Sequence, residues 1–310
     1  MKNIFRIALT IFFLLSLANL SIAEEVLPFS DLYIGHKNFV AISTLKENGV
    51  IEGYDDGSFR PEEKINRAEA LKMLTLASEL LTKEGINEAD QPEENVFTDV
   101  VRSAWYAKYI SAAKDKKVIN GYDDGTFKPS ENINLMETLK IYMESLRTIN
   151  YPETTEENLF ADTATDSWYS RYAALAKERG LLYISANNSI NPDQELTRGY
   201  LAEIIYRMQG YEKGDRFGKA TFYGEAFNGR GTASGDTFDM NAMTAAHKTL
   251  PFDTQVQVTN LANGKTVIVK INDRGPYGPG RVLDLSEGAF TAIASRGSGI
   301  IDIKYSIIED

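Results

Sequence analysis

Three titratable side chains, Asp236, His247 and Asp273, lie near glycines in the last third of the 310-residue chain. Asp273 closely follows the alternating residues 266–271 and is itself followed by Arg, Gly and Pro. A carboxyl group that a stiff turn fixes at a strand end is suited to general acid and base catalysis. The alternative is an Asx turn, in which Asp273 only accepts hydrogen bonds from nearby backbone amides.

The segments around these residues predict a small β-barrel over residues 218–308. Short runs that alternate apolar and polar residues predict strands, and they read KATFYG, TQVQVTN, KTVIVKIND and DIKYSII. Asn-Gly pairs in FNGRG and ANGK predict turns, of which the second joins two strands into a hairpin. One helix is expected near residues 286–294, beginning at a Ser cap. Many short strands with a single helix favour a barrel.

The preceding two thirds of the chain contain repeats. GYDDGSFRP returns as GYDDGTFKP 68 residues later, and a weaker third copy follows after a further 63 residues. We therefore divide this region into module 1, residues 29–90, module 2, residues 97–150, and module 3, residues 160–210, with a linker at residues 211–217. Repeats of such a period are typical of units that stack to bury a common core.

Each module predicts a helix, a tight turn and a second helix. Residues 105–119 of module 2 place apolar side chains on one side at helical spacing. The turn needs a positive φ, which Gly125 adopts readily and Asn188, its counterpart in module 3, adopts next best. Asn66, followed three residues later by Glu69, resembles a capping box at the start of the second helix of module 1.

Composition limits where the protein acts and what it binds. Residues 1–23 contain two positive charges, an apolar run and then small residues, which predicts a secretory signal peptide. The alternative is an uncleaved membrane anchor, for which the apolar run is short. The chain has no cysteine, so disulfides and thiolate metal sites are excluded. Residues 24–216 carry 22 basic and 34 acidic residues, which argues against a nucleic-acid partner.

The repeated region resembles three tandem S-layer homology (SLH) modules, over about residues 29–208. The FxD openings, the GYDDGxFxP turns and the NRAE tetrad at residues 66–69 carry the resemblance. It implies an all-α pseudo-threefold trimer whose grooves bind a secondary cell wall polysaccharide. It also implies wall-polymer-binding roles for Arg67, Glu69 and Arg198, since a guanidinium can hold a ketal carboxylate in a bidentate manner.

Two tetrads depart from this pattern. Leu135 stands at the Arg position of module 2 and Tyr200 at the Glu position of module 3, so at most two grooves are expected to take an anionic ligand. The alternative is that Arg67 only pairs with Glu69 or caps a neighbouring helix. Aromatic residues at helical spacing are more often core than sugar platforms; here they are Trp105, Tyr106, Trp168 and Tyr169.

Residues 223–286 resemble the rare lipoprotein A (RlpA) family, because TASG, AAH, LPF, VTN and NDRGP occur in that order. The resemblance implies a six-stranded double-psi β-barrel, a fold shared with expansins and one group of inverting cellulases. It also implies a peptidoglycan lytic transglycosylase that acts on glycan strands stripped of peptides and uses no cofactor. The whole chain is thus expected to be multidomain, a helical trimer followed by a mainly-β barrel.

The resemblance places the catalytic Asp on Asp273, the active-site His on His247 and a second carboxylate on Asp236, where the family more often has Glu. A positioning error of about an ångström can cost ~100-fold in rate. In a lytic transglycosylase the C6 hydroxyl of muramic acid attacks its own anomeric carbon, so Asp273 alone can protonate the leaving oxygen and then accept the hydroxyl proton. Asp236 would stabilise positive charge at the ring or favour protonated Asp273, and His247 would orient a carboxylate or a sugar hydroxyl.

Candidate substrate contacts are Tyr223, Asn272, Arg274 and Tyr277. Tyr223 is equally consistent with a buried core residue, and Arg274 with a pair to Asp284. The expected partners are peptidoglycan glycan strands and a secondary cell wall polysaccharide at the cell wall surface, with no membrane span after signal cleavage. The rival hypothesis is a non-catalytic, expansin-like glycan-binding or surface-layer structural protein, which the shorter carboxylate of Asp236 favours.

Overall fold

The computed structural model describes residues 27–78, 91–146, 149–152, 159–164 and 166–308. The predicted signal peptide lies outside these ranges, as do parts of the three modules. The helical part consists of α1 Phe39–Glu47, α2 Arg67–Ala77, α3 Ala107–Asp115, α4 Leu135–Ser145, α5 Ser170–Glu178 and α6 Arg198–Glu212. The described residues include no helix that is both long and apolar enough to span a bilayer.

The three modules surround a pseudo-threefold axis, at which the segments before α2, α4 and α6 meet. The amide of Ile65 donates to the carbonyl of Leu196 at 3.0 Å, that of Leu196 to Ile133 at 3.0 Å, and that of Ile133 to Ile65 at 3.2 Å. These three bonds close a ring, and the three side chains are fully buried in it. The predicted trimer is confirmed, with one module contributing to the core of the next.

The opening Asp of each module holds the turn between the two helices. The carboxylate of Asp31 accepts hydrogen bonds from the amides of Phe59 at 2.8 Å and Arg60 at 2.7 Å. Asp99 and Asp162 make the equivalent bonds in modules 2 and 3. Because Arg60 has a φ of 59°, the carboxylate offsets a backbone conformation that an Arg adopts at some cost.

The local signals in the modules are confirmed, with one difference. Gly125 and Asn188 have φ values of 79° and 60°, and Asn66 and Glu69 form both bonds of a capping box. The first helix of module 2, however, begins only at Ala107, because the two preceding residues form a turn. Trp105 therefore precedes the helix and is half exposed.

The last part of the chain forms a closed six-stranded barrel, as predicted. Its strands are β1 Arg216–Tyr223, β2 Thr244–Ala246, β3 Gln255–Asn260, β4 Thr266–Asp273, β5 Arg281–Ser286 and β6 Ile301–Ile307, and helix α7, Glu287–Ile293, lies between β5 and β6. The strand order is β1-β5-β2-β4-β3-β6, with β1/β5 and β2/β4 parallel and the other pairs antiparallel. Two strands, β2 and β5, were not predicted, since β2 has only three small residues.

The connection between the helical part and the barrel is shorter than the predicted linker. Helix α6 continues through Glu212 and strand β1 begins at Arg216, so only residues 213–215 join them. Phe217 and Leu261 of the barrel are buried within the hydrophobic core of the modules. The barrel therefore packs directly on the helical part.

Candidate functional site

Asp273 is the last residue of β4, and a β-bulge sets the direction of its side chain. Ala245 of β2 pairs with Ile271, but the next residue, Ala246, pairs with Asp273, so Asn272 is the extra residue of the bulge. Bulges commonly re-aim a side chain beside a functional site. Here the bulge places Asp273 opposite the end of the short strand β2.

The two oxygens of Asp273 have different surroundings. Oδ1 accepts hydrogen bonds from the amide of Ala233 at 2.9 Å and from the amide of Arg274 at 2.8 Å. Oδ2 receives no hydrogen bond from the described part of the chain, and the residue is half-buried. The Asx-type contact and a free carboxyl oxygen thus coexist, so one oxygen is anchored while the other is available to a substrate.

A second carboxylate, Asp284, lies across strand β2 from Asp273. Ala246 pairs with Asp273 on one side and with Asp284 of β5 on the other. Oδ1 of Asp284 accepts the hydroxyl of Thr221 at 2.6 Å and is also bound by the guanidinium of Arg281. Oδ2 of Asp284 would lie 3.8 Å from a Cβ built on Gly275.

Asp284 was expected only as a possible partner of Arg274, whereas its ion-pair partner is Arg281. The signal for it was a lone acidic residue between two buried leucines in RVLDLS. A charge in such a strand needs polar partners, and here the partners are Arg281 and the hydroxyl of Thr221.

Tyr223, at the end of β1, faces this pair of carboxylates. Its ring stacks on Phe238 at a centroid distance of 4.4 Å. Burial raises the pKa of its hydroxyl, and the charges of Asp273 and Asp284 raise it further. The hydroxyl is buried and has no hydrogen-bond partner among the described residues. An unpaired buried hydroxyl is costly, which favours a role in holding a bound group.

Asp236 reaches the same region from the TASGD loop. Its carboxylate binds Lys270 at 3.2 Å and the amide nitrogen of Asn272 at 3.4 Å. The hydrogen bond from Lys270 is the main reason that the pKa of Asp236 lies below its usual value, and Asn272 adds to it. Asp236 is therefore held ionised, while Lys270 offsets much of its charge. The loop also binds Asp273 through Ala233.

The ring of His247 accepts hydrogen bonds from two backbone amides. Its Nδ1 accepts the amides of Thr249 at 3.1 Å and Leu250 at 2.9 Å, so Nε2 carries the proton and lies 3.0 Å from the hydroxyl of Tyr305. Burial lowers the pKa of His247, and the nearby cations lower it further. Its amide also binds the carbonyl of Asp273 at 3.2 Å. Among the described residues the ring bonds no carboxylate, and the expected role of His247 in orienting a sugar hydroxyl stays a prediction.

The other expected contacts occupy three different environments. Asn272 is nearly buried and reaches Asp236, so it supports that carboxylate. The guanidinium of Arg274 lies 3.7 Å from the ring centre of Phe252 and within 3.4 Å of two backbone carbonyls. Tyr277, by contrast, is 83% exposed. Of this set, Tyr277 is the one placed to meet a ligand from solvent.

The modules form two equivalent grooves. The first groove, a cavity of about 280 Å³, is lined by Tyr54, Glu69, Trp105 and Arg198 with their neighbours. The second groove, about 200 Å³, is lined by Tyr122, Glu137, Trp168 and Arg67 with theirs. Each groove thus takes its Arg from one module, its Tyr and Glu from another, and its Trp from the third.

Backbone carbonyls and neighbouring glutamates fix both groove arginines. Nε of Arg67 donates to the carbonyl of Phe127 at 2.9 Å, and its Nη1 lies 3.2 Å from Glu137. Arg198 donates equivalently to Phe59 at 2.9 Å and lies 4.0 Å from Glu69. Arg67 therefore pairs with Glu137 and not with Glu69, because each Arg reaches a Glu of the following module, and its role in binding a wall polymer stays a prediction.

The groove tryptophans correct an expectation. Trp105 and Trp168 are 50% and 56% exposed, and neither is a core residue. Lys72 and Lys140 lie 6.0 Å and 5.6 Å from their ring centres. The helical spacing of the aromatic residues did not predict the exposure of the two tryptophans, because both precede the helices to which they were assigned. An exposed indole beside a buried guanidinium is suited to a sugar that carries an anionic substituent.

Comparison with known proteins agrees with this division of the chain. Residues 28–71, 96–139 and 159–199 match the family model of the S-layer homology domain. Residues 216–305 match the family model described as lytic transglycolase. The chain therefore carries three SLH repeats followed by an RlpA-like lytic transglycolase domain.

The similar proteins match in the barrel region. A probable endolytic peptidoglycan transglycosylase RlpA of Synechocystis sp. is 54% identical over 108 residues, which are 35% of this chain and 32% of that protein. The endolytic peptidoglycan transglycosylase RlpA of Vibrio cholerae is 42% identical over 118 residues, 38% of this chain and 43% of that protein. The chain thus spans less than half the length of either relative. A Clavibacter michiganensis expansin structure, 26% identical over 31% of this chain and 51% of that chain, has a TM-score of 0.26, too low to support an inference.

Proposed function

We propose that the barrel is an endolytic peptidoglycan lytic transglycosylase that cleaves between muramic acid and glucosamine units and leaves 1,6-anhydromuramyl ends. The observation that carries this proposal is Asp273, which is anchored through one oxygen while the other receives no hydrogen bond from the described residues. A single carboxyl in that position can serve as acid and then as base, which is what an intramolecular attack requires.

In this proposal the protonated Asp273 donates to the glycosidic oxygen as that bond breaks. The C6 hydroxyl of the same muramic acid then attacks the anomeric carbon and transfers its proton to Asp273, which restores the acid. Asp236 and Asp284, whose charges Lys270 and Arg281 partly offset, supply the remaining negative charge near the positively charged ring of the transition state. The hydroxyl of Tyr223 donates a hydrogen bond to the sugar, and Tyr277 provides a surface for a neighbouring sugar ring.

The helical part would hold the protein on the cell wall. The first and second grooves each combine a buried guanidinium with an exposed indole and a lysine. Such a combination fits a wall polysaccharide that carries a carboxylate or ketal group. Export through the predicted signal peptide would bring both parts to their substrates.

The test is incubation of the full chain with denuded glycan strands, followed by mass spectrometry of the products. We expect 1,6-anhydromuramyl ends, and a loss of at least ~100-fold in rate for Asp273→Asn. The matched control is Asp239→Asn, an exposed aspartate of the same barrel, which should keep parental activity. Hydrolysed reducing ends would refute the transglycosylase chemistry.

The rival function, a non-catalytic glycan-binding protein, predicts a different result. In that case the chain would co-sediment with sacculi but release no product, and Asp273→Asn would bind as the parent does. The shorter carboxylate at Asp236 is the feature that favours it. An Asp236→Glu variant that became active would attribute the inactivity to this residue.

A further inference from the structure

The pseudo-threefold axis defines a third position between modules that should form a third groove. At this position every residue that characterises the first two grooves is replaced. The Arg, Tyr, Glu, Gly and Trp of the first groove are Arg198, Tyr54, Glu69, Gly53 and Trp105, and their counterparts at the third position are Leu135, Ser185, Tyr200, Ile184 and Lys37. The third position therefore has neither the guanidinium nor the indole that would hold an anionic sugar.

The barrel occupies this third position. Nζ of Lys219 in β1 donates to the carbonyl of Ile184 at 3.2 Å. A Cβ built on Gly280, at the end of the loop that carries Tyr277, would lie 3.8 Å from Cβ of Ile184. Where modules 1 and 2 have Gly53 and Gly121 in the lining of their grooves, module 3 thus has a branched side chain that contacts the barrel.

Beside Ile184, the backbone of β1 lies unusually close to module 3. A Cβ on Gly180 would lie 2.6 Å from the carbonyl oxygen of Phe217, and a Cβ on Gly210 would lie 2.6 Å from the end of its ring. Both glycines are thus required for the approach. The ring of Phe217 also packs edge-on against Tyr206 at 5.8 Å, and Phe217 is 5% exposed.

A buried polar network lies under this contact. Arg207 is 1% exposed; it binds Glu203 at 2.7 Å and the carbonyl of Gly180 at 2.8 Å. Its Nη2 lies 3.7 Å from Asp302 of β6, which is an ion pair between module 3 and the barrel. Removing one partner of a buried pair is costly, since the other charge stays desolvated. The network therefore links a buried residue of module 3 to the barrel.

Module 1 makes the second contact with the barrel. The amides of Gly35 and Val40 donate to the carbonyls of Ala262 and Leu261 at 2.7 Å and 3.2 Å. Leu261, in the turn between β3 and β4, is 1% exposed and belongs to the hydrophobic core of the modules. The barrel thus bridges module 3 and module 1, the two modules on either side of the third position.

We infer that the third inter-module position is a docking surface for the barrel of the same chain, so that the protein has two glycan grooves and a barrel held in one fixed orientation to them. Docking of the barrel gives the substitutions at this position a common cause. They remove the guanidinium that would bind a carboxylate ligand, and they provide apolar side chains that the barrel can contact. This inference does not depend on which glycan the barrel binds or whether it cleaves one.

The test is a Leu261→Lys substitution in the full chain, which places a charge in the module core but leaves the interior of the barrel unchanged. We expect hydrogen exchange of the Gly35 and Val40 amides to accelerate at least tenfold and the radius of gyration in solution scattering to increase. The matched control, Ile268→Lys on an exposed site of the same hairpin, should leave both measurements at parental values.

A second variant guards against a simple loss of folding. Asp302→Ala removes the ion pair with Arg207 from the barrel side and should accelerate exchange at Gly35 and Val40 by a smaller factor. Unchanged exchange and scattering in both variants would overturn the inference. Activity on denuded strands, measured in parallel, reports on the proposed function separately, because an inactive parent would leave the exchange measurement intact.

Discussion

The grooves of the helical part and the site of the barrel are built in opposite ways. Each groove repeats the same residue types at offsets of 68 and 63 residues. The residues of one groove therefore identify those of the other, and they also identify the counterparts that are replaced at the third position. The barrel site is built once, from residues that four strands and two loops bring together. Repetition makes a binding site readable from sequence, whereas a unique site depends on strand pairing and bulges.

The largest expected effect comes from the repeated part. Replacement of both groove arginines, Arg67→Ala with Arg198→Ala, should weaken binding to isolated cell walls by at least ~100-fold, because each substitution removes the guanidinium charge of one groove. Co-sedimentation with walls, before and after extraction of the secondary polymer, measures this. Leu135→Met at the third position is the control and should bind as the parent does. Equal losses in all variants would contradict two-groove binding.

The second prediction addresses the unique site. Asp236→Asn should lower the rate of glycan cleavage by roughly 30-fold, since it removes a charge that faces the ring while solvent screens part of the effect. Product formation at saturating strands is the measurement, and Asp236→Glu should retain most activity. If Asp236→Asn is as active as the parent, the second carboxylate has no part in the reaction.

The third prediction separates activity from stability. Tyr223→Phe removes a buried hydroxyl that has no partner among the described residues. Thermal unfolding should therefore show no loss of stability, whereas the cleavage rate should fall about tenfold for the loss of one hydrogen bond to substrate. A variant with lowered stability and full activity would mean that the hydroxyl has a structural partner instead.

The smallest effect concerns pH and His247. Burial places its pKa below the ordinary 6.5, so the unfolded chain takes up the proton more readily than the folded protein. The contribution of neutral His247 to the free energy of unfolding is fully present above pH 6.5 and is lost as the pH falls through the pKa of the folded state. Melting temperatures of His247→Gln should therefore decline less between about pH 7 and pH 5 than those of the parent. An identical decline would exclude this role.

The barrel and the turns could be predicted because they depend on local signals that repeat or alternate, whereas the pseudo-threefold trimer was implied by the resemblance to SLH modules. Asn66 with Glu69 and the φ of Gly125 follow from neighbours within a few residues. Strand β2 could not be predicted, since three small residues form a strand only because they pair on both sides. The same holds for Asp284, which becomes part of the site only when β5 closes beside β2.

The exposure of Trp105 and the docking of the barrel were missed for another reason. Helical spacing reports which side of a helix is apolar, but Trp105 lies before its helix. Leu135 and Tyr200 showed in the sequence that an Arg and a Glu were missing from the third position. A sequence does not show, however, what occupies a surface that has lost its ligand-binding residues. That required the contacts of Phe217 and Leu261 with the modules.

Each groove takes side chains from all three modules, and this restricts how the chain can be shortened. An excised pair of modules contains neither groove in complete form, so deletion of any one repeat abolishes both sites at once rather than halving the avidity. In the proposed function, wall binding would therefore require the intact triplet of modules.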